Sequence, residues 1–168
     1  MVKNKIGVAL IGSGRAGMIH AHNFRGSVPG AVIAAVCDPV VEAAKAAAEE
    51  LELDNYYTDY KDVLALDNID AVIVATPTKY HCEIVCAAAK AGKHILCEKP
   101  MAMSVEECDI MDKTAKENGV TLQIAFMRRF DASFAAAKEM VDAGEIGDVV
   151  MVRSNTRGPS IPKPWMYD

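Results

Sequence analysis

A glycine-rich turn near the beginning of the chain restricts its fold more than any other feature. Gly12, Gly14 and Gly17 come directly after the apolar run Ile6–Ile11, and a helical pattern follows them. At this spacing the glycines permit a tight turn, an unobstructed backbone at the second position and close packing of helix on strand at the third. A chain that opens with this unit is expected to build a parallel sheet flanked by helices.

Apolar runs alternate with helix-like stretches along most of the chain. The runs comprise residues 6–11, 31–37, 71–75, 94–97 and 122–126, with a weaker candidate at 55–58. The runs lack the polar alternation of a strand with one wet face, so helices are expected to cover both faces of the sheet. The pattern predicts an α/β fold with a doubly wound parallel sheet, the Rossmann type.

Two helices between these runs have readable boundaries or faces. Ser104 with Glu107 three residues later forms a capping box, and Asn118-Gly119 predicts the end of the same helix. The residues predicted to form the buried faces are Val41, Ala44, Ala48 and Leu51 on the earlier helix and Cys108, Met111 and Ala115 on the later one.

The length of 168 residues suits one domain and the opening of another. After the last apolar run, the pattern predicts a helix at 132–143, a strand at 149–152 and an irregular loop at 158–165. Prolines in that loop remove amide donors, which argues against a closing element of a domain. We therefore expect a first domain over residues 1–126 and an incomplete second domain over residues 127–168.

Charge and hydropathy exclude two classes of partner. Eighteen Lys plus Arg against 23 Asp plus Glu give a net charge of −5 and a pI near 5.4, so nucleic acid is not an expected partner. The longest apolar runs have six or seven residues, far below the roughly 20 that cross a bilayer. Because residues 1–5 also lack a secretory apolar segment, we expect a cytoplasmic protein without a membrane partner.

The cysteines form an odd set of five, which favours free, buried thiols over a disulfide framework. Cys82 and Cys86 lie one helical turn apart next to His81 and could hold a metal ion in principle. No second cluster of ligands accompanies them, so no metal site is predicted.

An acidic residue follows the glycine turn at a characteristic distance. Asp38 ends the second apolar run, 21 residues beyond Gly17, where a carboxylate can accept both hydroxyls of an adenosine ribose. The pyrophosphate of a dinucleotide would then meet the amides that open the first helix. The negative charge would repel a 2′-phosphate, which favours NAD over NADP, although Arg15 could reach such a phosphate. The simpler interpretation is an ordinary glycine turn with Asp38 as a helix cap.

Further motifs follow the later runs. Glu98-Lys99-Pro100 follows the run at 94–97 and places a lysine at the carboxyl end of a parallel strand, where open α/β sheets bind ligands. Ala75-Thr76-Pro77 stands after an earlier run, and the last run leads into Phe126-Met127-Arg128-Arg129-Phe130-Asp131. With the glycine turn, these motifs resemble the Gfo/Idh/MocA oxidoreductases over essentially the whole chain, and within that family the inositol 2-dehydrogenases.

The resemblance implies a role for each matching residue. Asp38 would bind the adenosine ribose of NAD, Glu98 would contact the nicotinamide ribose, and Lys99 would be the catalytic residue between the nicotinamide and the substrate hydroxyl. The residues implied at the pyrophosphate are Gly12, Ser13, Gly14, Arg15, Ala16, Gly17 and Met18. Those implied elsewhere are Thr76, Pro77, His81 and Met127 along the cofactor, with Lys99 and Arg128 at the substrate.

The activity implied is oxidation of a secondary alcohol of a cyclic polyol or sugar by NAD. The family completes its site with an Asp and a His from its second domain, and no residue of this sequence matches them. A non-catalytic NAD-binding fragment or sensor, an imine reductase and an NAD-dependent glycosidase remain alternatives. Family members usually assemble through the sheet of the second domain, so a homo-oligomer is expected for the full-length enzyme but not for this segment.

Several of these residues also have simpler interpretations. Lys99 could merely balance the charge of Glu98 at a strand end, and His81 could be a partly buried helix residue. His20 and His22 are two residues apart on one helix, so they cannot both face a ligand. The remaining candidates are Arg128-Arg129 as a charged pair at an interdomain turn, and Trp165 and Tyr167 as aromatics of a substrate loop.

Overall fold

The computed structural model describes residues 5–155, which divide between two compact units, Met1–Phe126 and Met127–Asp168. The first unit contains, in chain order, β1 (Ile6–Ile11), α1 (Arg15–Ser27), β2 (Ala31–Cys37), α2 (Val41–Glu50), α3 (Tyr60–Leu64), β3 (Ala71–Val74), a 3₁₀ turn (Thr78–Tyr80), α4 (His81–Lys90), β4 (His94–Cys97), α5 (Val105–Glu117) and β5 (Leu122–Ile124). The second unit contains a 3₁₀ turn (Met127–Phe130) and α6 (Ala132–Asp142).

The strands of the first unit form one parallel sheet in the order β2-β1-β3-β4-β5. The chain runs outward from β1 to β2 and then returns to the other side of β1, so the order reverses between β1 and β3. Such a reversal is the point at which open α/β sheets bind ligands, beyond the carboxyl ends of the strands. The predicted α/β fold with a doubly wound parallel sheet is confirmed.

Backbone hydrogen bonds continue the ladder one residue past these carboxyl ends. Gly12 donates to the Cys37 carbonyl over 2.8 Å, and Ala75 donates to the Ile11 carbonyl over 2.8 Å. Glu98 donates to the Val74 carbonyl over 2.9 Å in the same way. The loops that carry the predicted site residues therefore all begin at the carboxyl ends of neighbouring strands, and this side of the sheet is called the carboxyl edge.

Two apolar cores cover opposite faces of the sheet. Alternate residues of a strand point to opposite faces, so Val8 and Leu10 of β1 enter one core while Ala9 and Ile11 enter the other. α1 and α2 contribute to the first core, whereas α3, α4 and α5 contribute to the second. Buried apolar runs without polar alternation follow directly from this two-sided packing.

The termini of α5 match the sequence prediction closely. The Ser104 hydroxyl accepts a hydrogen bond from the Glu107 amide at 3.2 Å, and the Glu107 carboxylate accepts from the Met103 amide at 2.9 Å. A Gly119 φ of 65° provides the left-handed residue that ends the helix. Met111 and Ala115 are buried as predicted, while Cys108 is half-buried.

Residues 55–58 do not form the weaker strand that the sequence predicted. Only Tyr57 pairs with the sheet, through a single parallel bridge to Cys37. The helix α3 that follows was not predicted, and Asp59 caps it by accepting a hydrogen bond from the Lys61 amide. The predicted buried face of α2 also needs correction, since Val41 is exposed and Ala47 is buried instead.

Two predicted strands are shorter in the structure, and a second one, besides 55–58, is wrong. β3 ends at Val74 and β5 ends at Ile124, and each is followed by one further ladder hydrogen bond, from the Ala75 amide to the Ile11 carbonyl and from the Ala125 amide to the Cys97 carbonyl. Residues 149–152 are exposed and form no strand, since no other described residue supplies a hydrogen-bonding partner. The predicted loop at 158–165 and the candidate aromatics Trp165 and Tyr167 lie outside the described residues.

In the second unit, α6 begins and ends close to the predicted helix. The Asp131 carboxylate accepts hydrogen bonds from the amides of Ser133 and Phe134, which caps the first turn. The chain leaves the helix through Gly144, whose φ is 73°.

Across residues 5–155, no helix is both long enough and apolar enough to pass through a bilayer. The same residues contain no group of three or more His, Cys, Asp or Glu side chains that could hold a metal ion. All five cysteines are free, with Cys37 and Cys97 buried and the other three half-buried.

Candidate functional site

The three glycines of the first turn face different surroundings. Gly12 has a φ of 97°, and a Cβ built there would lie 2.7 Å from the Ala75 backbone. A Cβ on Gly17 would lie 2.0 Å from the Gly12 carbonyl oxygen. A Cβ on Gly14, in contrast, would meet no atom within 4 Å. The protein itself requires glycine at the first and third positions, whereas the space beside Gly14 is open to a ligand.

The first turn of α1 offers backbone amides to that open space. Gly14 is the N-cap of α1 and supplies no side-chain hydrogen bond, whereas Ser104 caps α5 with its hydroxyl. The first amides of a helix have no acceptor inside the helix and carry the positive end of its dipole. This arrangement suits an anion such as a pyrophosphate. Arg15 and Ala16 are exposed beside it, and Ser13 and Met18 are half-buried.

Asp38 joins the end of β2 to the glycine turn. One carboxylate oxygen accepts from both the amide and the hydroxyl of Ser13, at 2.9 and 3.0 Å, and the other accepts from the Val40 amide at 3.0 Å. Asp38 is therefore not the helix cap of the simpler interpretation, because Val40 occupies the N-cap of α2. A carboxylate offers about four acceptor positions, so both hydroxyls of a ribose would fit once the Ser13 hydroxyl turns away.

Two buried thiols adjoin the acidic residues at this edge. Burial, reinforced by the Asp38 charge, raises the pKa of Cys37 to about 12. Burial is also the main reason why the pKa of Cys97 is raised to about 12, and the nearby Glu98 charge adds to it. Both thiols are therefore neutral near pH 7 and behave as apolar packing groups rather than nucleophiles.

His81 lies between the loops that follow β3 and β4. Its side chain is 1% exposed, and its Nε2 is 2.8 Å from the Thr76 carbonyl oxygen. Its Nδ1 is 3.0 Å from the carbonyl oxygen of Pro100 and 3.3 Å from that of Met101. The burial agrees with the simpler interpretation of this histidine, and its place along a cofactor groove stays a prediction.

Thr76 and Pro77 follow β3 at the same edge. The Thr76 hydroxyl oxygen is buried and has no hydrogen-bond partner in the part of the chain that the structure describes. Buried hydroxyls are almost always paired, so this oxygen is available to a ligand. Pro77 is exposed beside it.

Glu98 and Lys99 follow β4 but do not pair with each other through their side chains. One Glu98 oxygen is 2.8 Å from Nε2 of His20, and the other accepts a hydrogen bond from the Lys99 backbone amide at 2.9 Å. Lys99 is exposed, and its ammonium has no hydrogen bond or ion pair among residues 5–155. The interpretation of Lys99 as a charge partner of Glu98 is therefore not what the structure shows. The Lys99-Pro100 peptide bond is cis.

The pairing of His20 with Glu98 was missed from the sequence. His20 is three residues after Gly17, which places it on the same side of α1 as the glycine that packs on β1. That spacing was the available signal. His22 instead lies 2.6 Å from Glu50 at the surface, so the two histidines point to different surroundings, as their spacing on one helix predicted.

Met127 and Arg128 belong to the second unit, where both are exposed in the 3₁₀ turn. The Arg128 guanidinium lies 4.7 Å from the centre of the Phe134 ring. Their contacts with a nicotinamide or a substrate stay predictions.

A Gly17→Ala variant is expected to lose about 2 kcal/mol of unfolding free energy, because the new methyl group would force α1 away from the Gly12 carbonyl. Urea unfolding measures the change. Gly26→Ala is the matched control, since Gly26 lies in the same helix with open space around it and alanine is the better helix former. Equal stability of the Gly17 variant and the parent would contradict the close packing.

These features fit a dinucleotide: open space beside Gly14, uncapped amides opening α1, and an unpaired Thr76 hydroxyl at the same edge. Comparison with known proteins agrees. Residues 6–126 match the profile of the Gfo/Idh/MocA family, described as an oxidoreductase family with an NAD-binding Rossmann fold.

Similar proteins include several inositol dehydrogenases. The chain is 41% identical over 161 residues to scyllo-inositol 2-dehydrogenase (NAD(+)) of Bacillus subtilis, covering 96% of this chain and 47% of that protein. It is 36% identical to myo-inositol 2-dehydrogenase of Thermotoga maritima, covering 92% of this chain and 46% of that protein. The crystal structure of scyllo-inositol dehydrogenase from Lactobacillus casei with NAD(H) and scyllo-inositol superposes with a TM-score of 0.81 at 33% identity, covering 86% of this chain and 43% of that one. The chain thus spans about half the length of these relatives.

Proposed function

Because the chain belongs to the Gfo/Idh/MocA family of oxidoreductases, we propose that it binds NAD as part of a dehydrogenase acting on a ring alcohol of an inositol-like polyol. Residues 1–126 form the dinucleotide-binding domain in this proposal, and residues 127–168 begin the substrate domain. The observation that carries the proposal is the open space beside Gly14 at the uncapped start of α1, with Asp38 directly alongside.

Each residue of this edge has a definite task in cofactor binding. The amides of residues 12–18 hold the pyrophosphate, and Asp38 accepts the hydroxyls of the adenosine ribose. The Thr76 hydroxyl and Pro77 line the groove that holds the dinucleotide. The buried His81 holds the loops after β3 and β4 in place through their backbone carbonyls. Glu98 contacts the nicotinamide ribose, and Met127 lies along the nicotinamide.

Bound NAD supplies the hydride acceptor for the alcohol carbon. Lys99, whose side-chain nitrogen has no hydrogen bond or ion pair within residues 5–155, contacts the reacting oxygen. As the hydride leaves the carbon and the ketone forms, the hydroxyl proton passes to the Lys99 amine and from there to solvent. Arg128 orients the polyol. The Asp and His that complete the site in the family have no match in this sequence.

NADH titration of the purified chain by calorimetry tests the binding part of the proposal, and saturable one-to-one binding is expected. Incubation of the full-length enzyme with NAD and a panel of inositols and aldoses tests the reaction through reduced-nicotinamide absorbance. Absence of turnover with every polyol would reject the dehydrogenase assignment.

A second candidate function is NAD binding without catalysis, as in a sensor. The open space beside Gly14 and the uncapped start of α1 fit NAD binding by themselves and require no catalytic group. NADH binding by the 18.1 kDa chain with no turnover on any polyol would support this candidate, while turnover by that chain would exclude it.

Replacement of Asp38 is expected to shift the cofactor preference. Asp38→Ser should weaken NAD binding and improve the NADP to NAD affinity ratio by about tenfold or more, because the charge that repels a 2′-phosphate is gone. Calorimetric titration with both cofactors measures the ratio. Asp38→Asn retains an acceptor for the Ser13 amide and separates loss of charge from loosening of the turn.

An exposed acid elsewhere, Asp67, provides the matched control in the variant Asp67→Ser, which should leave the ratio unchanged. An unaltered preference in both Asp38 variants would show that the adenosine ribose binds somewhere else.

A further inference from the structure

We propose that His20 is a positioning residue, which holds the Glu98 carboxylate in the orientation that binds the nicotinamide end of the cofactor. The inference rests on the proposed function, because it concerns the use of Glu98 in NAD binding. It adds to that function a residue of α1 that contacts neither the proposed pyrophosphate site nor the substrate.

The contacts of Glu98 leave its side chain a single well-defined orientation. Its backbone amide donates a hydrogen bond to the Val74 carbonyl at the end of β3, which fixes the position of the Glu98 backbone. Of its two carboxylate oxygens, one is held by His20 and the other by the Lys99 amide. Without His20, the Lys99 amide alone would not stop the carboxylate from turning about its last bond.

The environment of the pair makes the contact stronger than a surface ion pair. The side chains of His20 and Glu98 are 22% and 19% exposed, whereas those of His22 and Glu50 are 50% and 56% exposed. Partial removal from water strengthens a hydrogen bond to a charged oxygen. His22 therefore provides an internal control for His20, because both histidines lie on α1 and contact a glutamate, but only His20 does so at the proposed site.

The position of His20 also connects the two ends of the proposed dinucleotide groove. α1 starts at the glycine turn and is packed on the sheet through the buried Gly17 and Ala21. Because these small residues already pack the helix on the sheet, we expect the fold to remain intact without the His20 contact. The contact instead connects α1, whose first amides would bind the pyrophosphate, to Glu98, which would bind the nicotinamide ribose.

The test measures NADH affinity of the purified chain by calorimetry, together with thermal midpoints. His20→Leu should weaken binding about tenfold, because a leucine cannot donate to the carboxylate. His20→Gln should recover binding to within about threefold, since a glutamine amide can donate to the same oxygen. His22→Leu, the matched control, should bind NADH like the parent.

A double-variant cycle with Glu98→Ala separates positioning from other effects. In the Glu98→Ala background, His20→Leu should cause no further loss of affinity, because the group that it positions is absent. The thermal midpoints of His20→Leu and His22→Leu should be similar.

Three outcomes would overturn the inference while the parent chain still binds NADH. They are parent-like affinity of His20→Leu, an equal loss in the Glu98→Ala background, and a failure of glutamine to restore binding. If the parent chain itself does not bind NADH, the proposed function fails, and this inference fails with it.

Discussion

A Gly14→Val variant is expected to fold like the parent and to bind NADH more than about a hundredfold more weakly, a loss of about 2.7 kcal/mol. Gly14 has φ −67° and ψ 179°, an extended backbone that any residue adopts, and its Cβ position has no neighbour within 4 Å. Valine is therefore accommodated by the protein. Its methyl groups would occupy the space where a pyrophosphate approaches the amides of α1.

Calorimetric titration measures the affinity, and the thermal midpoint reports the fold. Gly30→Val is the matched control. Gly30 lies before the amino end of β2, away from the carboxyl ends of the strands, and it also has open space around it. That control should bind NADH normally. Normal binding by the Gly14 variant would mean that the pyrophosphate does not lie on this turn.

A His81→Leu variant is expected to lose about 3 kcal/mol of unfolding free energy. The His81 ring is buried, its nitrogens lie within 2.8 to 3.3 Å of the backbone carbonyl oxygens of Thr76, Pro100 and Met101, and leucine would remove the ring N–H that donates to this group. A buried acceptor without a hydrogen bond costs about 1–3 kcal/mol. Because the same carbonyls fix the loops after β3 and β4, NADH affinity should fall as well.

Urea unfolding at neutral pH measures the stability change. His22→Leu should cost less than about 1 kcal/mol, since its contact with Glu50 is exposed. If the two leucine variants were equally stable, the contacts of His81 with the loops after β3 and β4 would not stabilise the fold, and the role proposed for His81 would be wrong.

Local patterns predicted the first unit well. The glycine turn, the apolar runs and the capping box at Ser104 each depend on a few neighbouring residues, so their geometry is encoded within one turn of the chain. The parallel sheet followed because runs buried on both faces need helices on both sides. Asp38 was placed correctly at the end of β2, but its hydrogen bonds to Ser13 were not foreseen.

The errors fall where a partner distant in sequence decides the outcome. Residues 149–152 have strand-like composition, yet no described strand pairs with them. Tyr57 reaches the sheet for a single bridge, because its neighbours turn away towards α3. Composition reports how well a segment would suit a sheet, and it does not report whether a sheet edge is available.

From the amino-acid order alone came the sheet, the glycine turn, the acid at the end of the second strand and the lysine after the fourth. Tertiary structure alone revealed that His20 reaches Glu98 across 78 positions of sequence and that His81 joins two loops through their carbonyls. The physical reason is that turns and caps form from neighbouring residues. A histidine's partner, in contrast, is determined by which helix and which strand end the folded chain brings within 3 Å of its ring.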